Sequence, residues 1–232
     1  MKDRLALLPD MEETGYILPF QLLIPLTVLP MAAIVCLLIR GSYKIESFFL
    51  LLGLNILLFL SAIFNYLPVF NFSNTVNNSP FFWKTGEYIL IALLFRSYLK
   101  KHIPVQWIQY LMVIHVTVIS TLAFTKNLIP NMELISIASA LEISLFALVS
   151  LVVLVKTRYL FIFESPLFWI AAGTLFYYFI FLAVEASLNL QWIDETIIKE
   201  KPPLLAAFSI VRLLFYLISC MVTPTKNIEI KN

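Results

Sequence analysis

Of the 232 residues, 61% are hydrophobic and 13% charged, with a net charge of +2 and a mean hydropathy of +0.91. A soluble domain carries about 25% charged residues, so a chain with half that share cannot cover a water-facing surface and must turn most of it to lipid. The near-neutral charge excludes a nucleic-acid partner. The two cysteines, Cys36 and Cys220, both lie in apolar runs and exclude a disulfide framework.

Residues 1–15 carry Asp3, Asp10, Glu12 and Glu13 without an apolar core, and read as an outer tail, not a cleavable signal peptide. Seven stretches then follow that are long enough to cross a hydrocarbon core about 30 Å thick at 1.5 Å per residue: 16–39, 46–68, 80–99, 105–125, 132–155, 166–187 and 203–222. The expected fold is an all-α membrane protein, a seven transmembrane helix bundle. Backbone groups in lipid must be bonded within the segment, and the alternation a membrane β-barrel requires is missing.

The first span holds Pro19, Pro25 and Pro30 and is expected to kink. The second carries Asn55 near mid-depth, and an asparagine-rich outer segment, 71–79, follows it. Ser79-Pro80 and Ser165-Pro166 open the third and sixth spans, each placing a capping hydroxyl before a proline whose missing N–H costs nothing in a first turn. The short echo between Ser79-Pro80-Phe81-Phe82-Trp83 and Ser165-Pro166-Leu167-Phe168-Trp169 fades after five residues, as two good helix starts would. Residues 159–163 read as an interfacial segment. The outer stretch 188–202 reads either as a short helix on the membrane surface or as a loop packed on the bundle. Pro202-Pro203 marks the start of the seventh span, and 223–232 form the tail.

Loops after odd spans hold Arg40, Lys44, Arg96, Lys100, Lys101, Lys156 and Arg158, against Lys84, Lys126, Lys199 and Lys201 on the other side. The excess places odd loops and the carboxyl tail in the cytosol and the amino terminus outside. Trp83, Trp107 and Trp169 sit just inside span starts, at headgroup level, and Trp192 lies in an outer loop.

Ionisable residues near the bilayer centre cost roughly 2.5–3.5 kcal/mol and mark sites by default. Glu142 in span five and Arg212 in span seven fall at similar depth, which predicts a pair, since either alone costs far more. Glu87 in span three has Lys84 three residues before it, within local bonding reach. His115 and Asn55 lie near mid-depth, Ser139 is one turn from Glu142, and Tyr177 and Tyr178 supply hydroxyls. Ser209, Arg212, Tyr216 and Ser219 form a polar face on span seven. Two readings fit this set: a polar pocket built from Glu87, Glu142, Arg212, His115, Asn55 and Tyr177, or an ion-pair lock that fixes helix register. A dimer contact is a third.

Several chemistries are excluded by residue type. Span seven offers no lysine for a retinal Schiff base. Two histidines are too few for a three-ligand zinc centre, no aspartate falls within a span, and no phosphate-cradling glycine loop occurs. An intramembrane serine protease needs a paired nucleophile and base, and no partner for His115 is evident from the sequence. No catalytic residue, metal ligand or cofactor is therefore expected.

Glu87-Tyr88-Ile89-Leu90 closing on Phe95-Arg96, Leu141-Glu142, and Ser165-Pro166-Leu167-Phe168-Trp169-Ile170 continuing to Gly173 and Tyr177 resemble an uncharacterised family of small seven-transmembrane-helix membrane proteins common in Bacteroidota. The likeness runs from about Glu46 onward. It implies a standalone membrane domain of the bacterial cytoplasmic (inner) membrane with a sensory or accessory role, some members being encoded near signalling histidine kinases. The expected function is thus a non-enzymatic sensor or accessory module recognising a small molecule, a membrane lipid or a partner protein such as a histidine kinase. The alternatives are a small-solute or proton-coupled transporter, with Glu142 carrying the proton, and an intramembrane lipid-modifying enzyme.

Overall fold

The computed structural model describes residues 20–42, 45–66, 79–124, 132–158, 162–189 and 195–222. The outer tail, the first residues of the expected first span, most of the asparagine-rich segment, Lys44, Lys126, Trp192 and the carboxyl tail lie outside the described residues. Seven α-helices account for nearly all of the described chain: α1 Phe20–Ile39, α2 Glu46–Tyr66, α3 Ser79–Leu99, α4 Gln106–Phe124, α5 Met132–Arg158, α6 Pro166–Asn189 and α7 Glu195–Met221. A single 3₁₀ turn, Ile162–Glu164, enters α6. No strand occurs among the described residues.

Among the described residues, five segments are long and apolar enough to cross a membrane: Gln21–Ile39, Glu46–Phe64, Leu134–Thr157, Pro166–Ser187 and Pro203–Met221. In α4 the described apolar segment is Gln106–Leu122. In α3, Lys84, Glu87 and Arg96 dilute an otherwise apolar sequence. The seventh helix begins well before the Pro202-Pro203 start expected from sequence, because α7 runs unbroken from Glu195 through both prolines. Near the end of a helix, water can satisfy the carbonyls that a proline releases, so the pair punctuates without stopping it.

Exposed faces are as apolar as buried ones, which is what a lipid solvent demands and water forbids. On α1, Ile24, Val28, Met31, Val35 and Leu38 recur at three- and four-residue steps as an exposed stripe, while Leu26, Ala33 and Leu37 are buried on another face. Two prolines, Pro25 and Pro30, lie within this helix.

The helices form a closed circuit of neighbours, α1–α2–α3–α5–α6–α7 and back to α1, with α4 set against α3 and α5. At the end where α1 stops, Gly41 takes a φ of 63° and lets its N–H return to the Leu38 carbonyl, the left-handed close that glycine tolerates. This turn presents Arg40, whose Nη1 donates to the carbonyls of Cys220 and Met221 at 2.6 and 2.7 Å. A cation thus caps the negative end of α7 and ties it to α1. Cys36 Sγ lies 3.5 Å from the Cys220 carbonyl oxygen, so the two free cysteines sit at the same end. Lys100 bonds Glu46 between the ends of α3 and α2, and Arg96 donates to the Gln109 side-chain oxygen at 3.0 and 3.1 Å on α4.

Candidate functional site

The polar interior is organised by two consecutive residues of α3. Successive side chains on a helix diverge by about 100°, so Glu87 and Tyr88 address different neighbours. Glu87 turns toward α6 and α7, and Tyr88 toward α4 and α5.

On the first side, Arg212 Nη1 donates to Glu87 Oε1, and the same oxygen accepts from Tyr178 hydroxyl at 2.9 Å. The guanidinium carbon stands 4.1 Å over the Tyr177 ring, with Tyr178 and Tyr216 at 5.7 and 5.8 Å, an aromatic surround suited to a desolvated cation. Tyr216 hydroxyl meets Thr174 Oγ1 at 2.9 Å. Arg212 is only 2% exposed, and its Nε has no hydrogen-bond partner. Close packing of α6 on α7 sets this geometry, for a Cβ placed on Gly173 would fall 2.6 Å from Phe215 Cβ and 3.4 Å from the Arg212 carbonyl oxygen.

The ion pair expected between Glu142 and Arg212 is therefore corrected: the partner of Arg212 is Glu87. Depth alone had suggested Glu142, but α6 stands between α5 and α7 in the circuit. Helix side chains lean toward their own amino terminus, and α3 and α7 both begin at the same end of the bundle, so Arg212 extends across the interior to reach α3.

On the second side, Tyr88 hydroxyl donates to Glu142 Oε2. His115 Nδ1 lies 3.5 Å from that oxygen, and His115 Nε2 lies 3.0 Å from Ser139 Oγ. Tyr88 and His115 stack with ring centroids 4.0 Å apart at 21°. The sequence had suggested no partner for His115, yet it has three. Glu142 and Ser139 are three residues apart on one face of α5, and the imidazole lies along that face and touches both. Ser139 hydroxyl also approaches the Ile135 carbonyl at 2.7 Å. When its one proton goes to Nε2, a neutral imidazole presents Nδ1–H to Glu142; when it goes to Ile135, the imidazole must donate at Nε2.

These two sides share a cavity of about 80 Å³ at the end of the bundle where α3 and α5 begin. Glu87 and Tyr178 border it on one flank, His115 and Ser139 on the other, with Lys84 and Ser136 beside them. Lys84 Nζ donates to Ser136 Oγ at 3.1 Å. One water needs about 10–15 Å³ of such space, so the polar groups surround room for several. Thr85 lines the same cavity, and its Oγ1 is buried without a hydrogen-bond partner.

Of the residues singled out by sequence, Glu87, His115 and Tyr177 border the cavity, and Glu142 and Arg212 stand behind it, each held by a bordering residue. Asn55 is not brought in: it is buried in α2, where Nδ2 donates to the Leu51 carbonyl at 2.8 Å and Oδ1 has no partner. Tyr88 was not singled out, although its place beside Glu87 was its signal. A second cavity of about 230 Å³ lies at the opposite end, bordered by Ser47, Tyr98, His102 and Ser165. No group of three His, Cys, Asp or Glu is placed to hold a metal ion among the described residues. Comparison of the chain with family models, with curated proteins and with solved structures finds no match.

Proposed function

We propose that this chain is a membrane sensor or accessory module that recognises a small polar molecule or a lipid headgroup in the cavity between α3, α4, α5 and α6. On this reading all seven helices cross the bilayer, with the amino terminus outside, the carboxyl terminus in the cytosol and the cavity opening outward. The Lys and Arg excess at the opposite end supports that orientation. A polar α3 is tolerated as a span because Glu87 and Tyr88 turn inward while Ile91, Leu94 and Phe95 are buried beside them. The family resemblance supports a bacterial inner-membrane location and a signalling partner such as a histidine kinase.

The observation that carries the reading is that Glu87, Tyr88, His115 and Tyr178 border open space while each also holds a partner. A register lock closes on itself, whereas a recognition site keeps room for a guest. The test is organic extraction of protein purified in mild detergent, followed by mass spectrometry. A compound retained by the wild type and lost from Ser136→Trp, at an unchanged unfolding midpoint, supports recognition. Equal recovery from both refutes it.

A further inference from the structure

Ser139, His115 and Glu142 stand in the order of a nucleophile, its general base and the carboxylate that orients the base. The nitrogens are used in the productive sense: Nε2 faces the hydroxyl at 3.0 Å and Nδ1 faces the carboxylate at 3.5 Å. The imidazole is fixed by Tyr88, which stacks on it and also bonds the same Glu142 oxygen. A histidine that only filled space in a helix bundle would need neither that plane nor that pair of contacts.

The surroundings match one reaction class. Ser139 and His115 both border the cavity, so a carbonyl placed there meets the hydroxyl directly. Thr85 lines it too; its Oγ1 is buried and unpartnered, and would have to turn into the cavity to donate to an oxygen that gains negative charge. Ile119, Ile135, Ile143 and Phe181 supply apolar wall for a hydrocarbon chain.

We propose that Ser139, His115 and Glu142 form an acyl-transfer site for an ester or thioester of an apolar acyl chain. The inference rests on the cavity being a recognition site, as above, and names the chemistry of its guest. Ser139 Oγ bonds to the acyl carbon as its proton passes to His115 Nε2. The bond from the acyl carbon to the alcohol or thiol breaks, and that group leaves with the proton from His115. Water then attacks the acyl-serine, its proton taken by His115 and returned to Ser139, releasing a carboxylic acid and the free enzyme. Ser139 and His115 are the catalytic residues, and Glu142 is a positioning residue that acts through the imidazole.

The experiment uses the full chain in detergent and an alkyl fluorophosphonate, which phosphonylates an activated serine. The expected result is a single adduct that peptide mass spectrometry places on Ser139, absent in Ser139→Ala. In His115→Ala the adduct forms at least about 100-fold more slowly, the scale of one general base. Glu142→Gln lowers the maximal labelling rate but leaves the half-saturating probe concentration unchanged, a split that loss of structure would not produce. Ser139→Cys keeps the side-chain size and gives a second readout: iodoacetamide alkylates its thiol faster than that of the double variant Ser139→Cys, His115→Ala. Equal alkylation rates, or no adduct on wild type with an intact unfolding transition, overturn the proposal. Loss of a retained compound from Ser136→Trp with no fluorophosphonate adduct also overturns it, and leaves the recognition reading standing.

Discussion

The ion pair between α3 and α7 makes the sharpest energetic prediction, because its two members are not equally buried. Arg212 is 2% exposed and Glu87 16%, with the carboxylate bordering the cavity. Removing one member of a buried pair costs about 3–5 kcal/mol, since the other charge is left uncompensated. Glu87→Gln strands the guanidinium among rings that supply only the cation–π part of its stabilisation, and should cost about 3 kcal/mol. Arg212→Met leaves a carboxylate that water in the cavity can solvate and that Tyr178 still bonds. The new thioether also packs on Tyr177, so this change should cost only about 1–2 kcal/mol.

Thermal unfolding and denaturant titration in detergent measure both. For a chain of roughly this size, about 2–4 °C of midpoint accompanies each kcal/mol, so Glu87→Gln should melt about 6–12 °C below wild type and Arg212→Met nearer to it. In the double variant the stranded charge is gone, and stability should return to that of Arg212→Met alone. The coupling energy should then equal the cost of Glu87→Gln, about 3 kcal/mol, well above the average of about 0.6 for interhelical hydrogen bonds in membranes. Glu142→Gln combined with Arg212→Met should be additive within about 0.5 kcal/mol, as expected of residues that do not touch. Strong coupling in the Glu142 cycle with none in the Glu87 cycle would refute the arrangement and restore the pairing expected from depth.

Two further outcomes follow from packing and orientation. Gly173→Leu should destabilise the fold by at least the 1–3 kcal/mol typical of overpacking, because its Cβ meets Phe215 Cβ at 2.6 Å and no rotamer relieves a Cβ contact; an unfolding midpoint equal to wild type would show that α6 and α7 separate at no cost. In intact cells, Ser136→Cys should react with a membrane-impermeant maleimide added outside, and His102→Cys should react only after permeabilisation; the reverse pattern would invert the topology.

The helices were legible because lipid imposes one simple rule on each segment separately. Apolar runs of about twenty residues, together with the Ser165-Pro166 start, place α6 at Pro166 and α2 at Glu46, where the structure has them. Partners were not legible, because pairing depends on which helices are neighbours, and no local pattern encodes the circuit that sets α6 between α5 and α7. Residue type did indicate that Glu87, Glu142, Arg212 and His115 needed company. It did not reveal that a tyrosine would bridge them. Tyr88 looks like one more aromatic in a greasy helix until its hydroxyl is seen on Glu142. Likewise α7 misled at its start, where two prolines suggested a boundary that the backbone runs through.

The helix with the weakest claim to be a span by hydropathy is the one that holds the site together. Lys84, Glu87 and Arg96 keep α3 outside the set of strongly apolar segments, yet Tyr88, Ile91, Ala92, Leu94, Phe95 and Leu99 make it among the most deeply packed. Interiors packed this densely transmit displacement and do not absorb it. Under the proposed reading, a guest that pulls on Glu87 must also move Tyr88, and with it Glu142 and the stacked His115. At its other end the same rod is fastened to α2 by Lys100 and Glu46 and to α4 by Arg96 and Gln109. Both fastenings are polar, and the Lys100–Glu46 pair is exposed, where such a pair is worth little. Were the cavity a recognition site as proposed, the rod would be rigid at the end that meets the guest and weakly held at the other, the distribution of strength a relay requires.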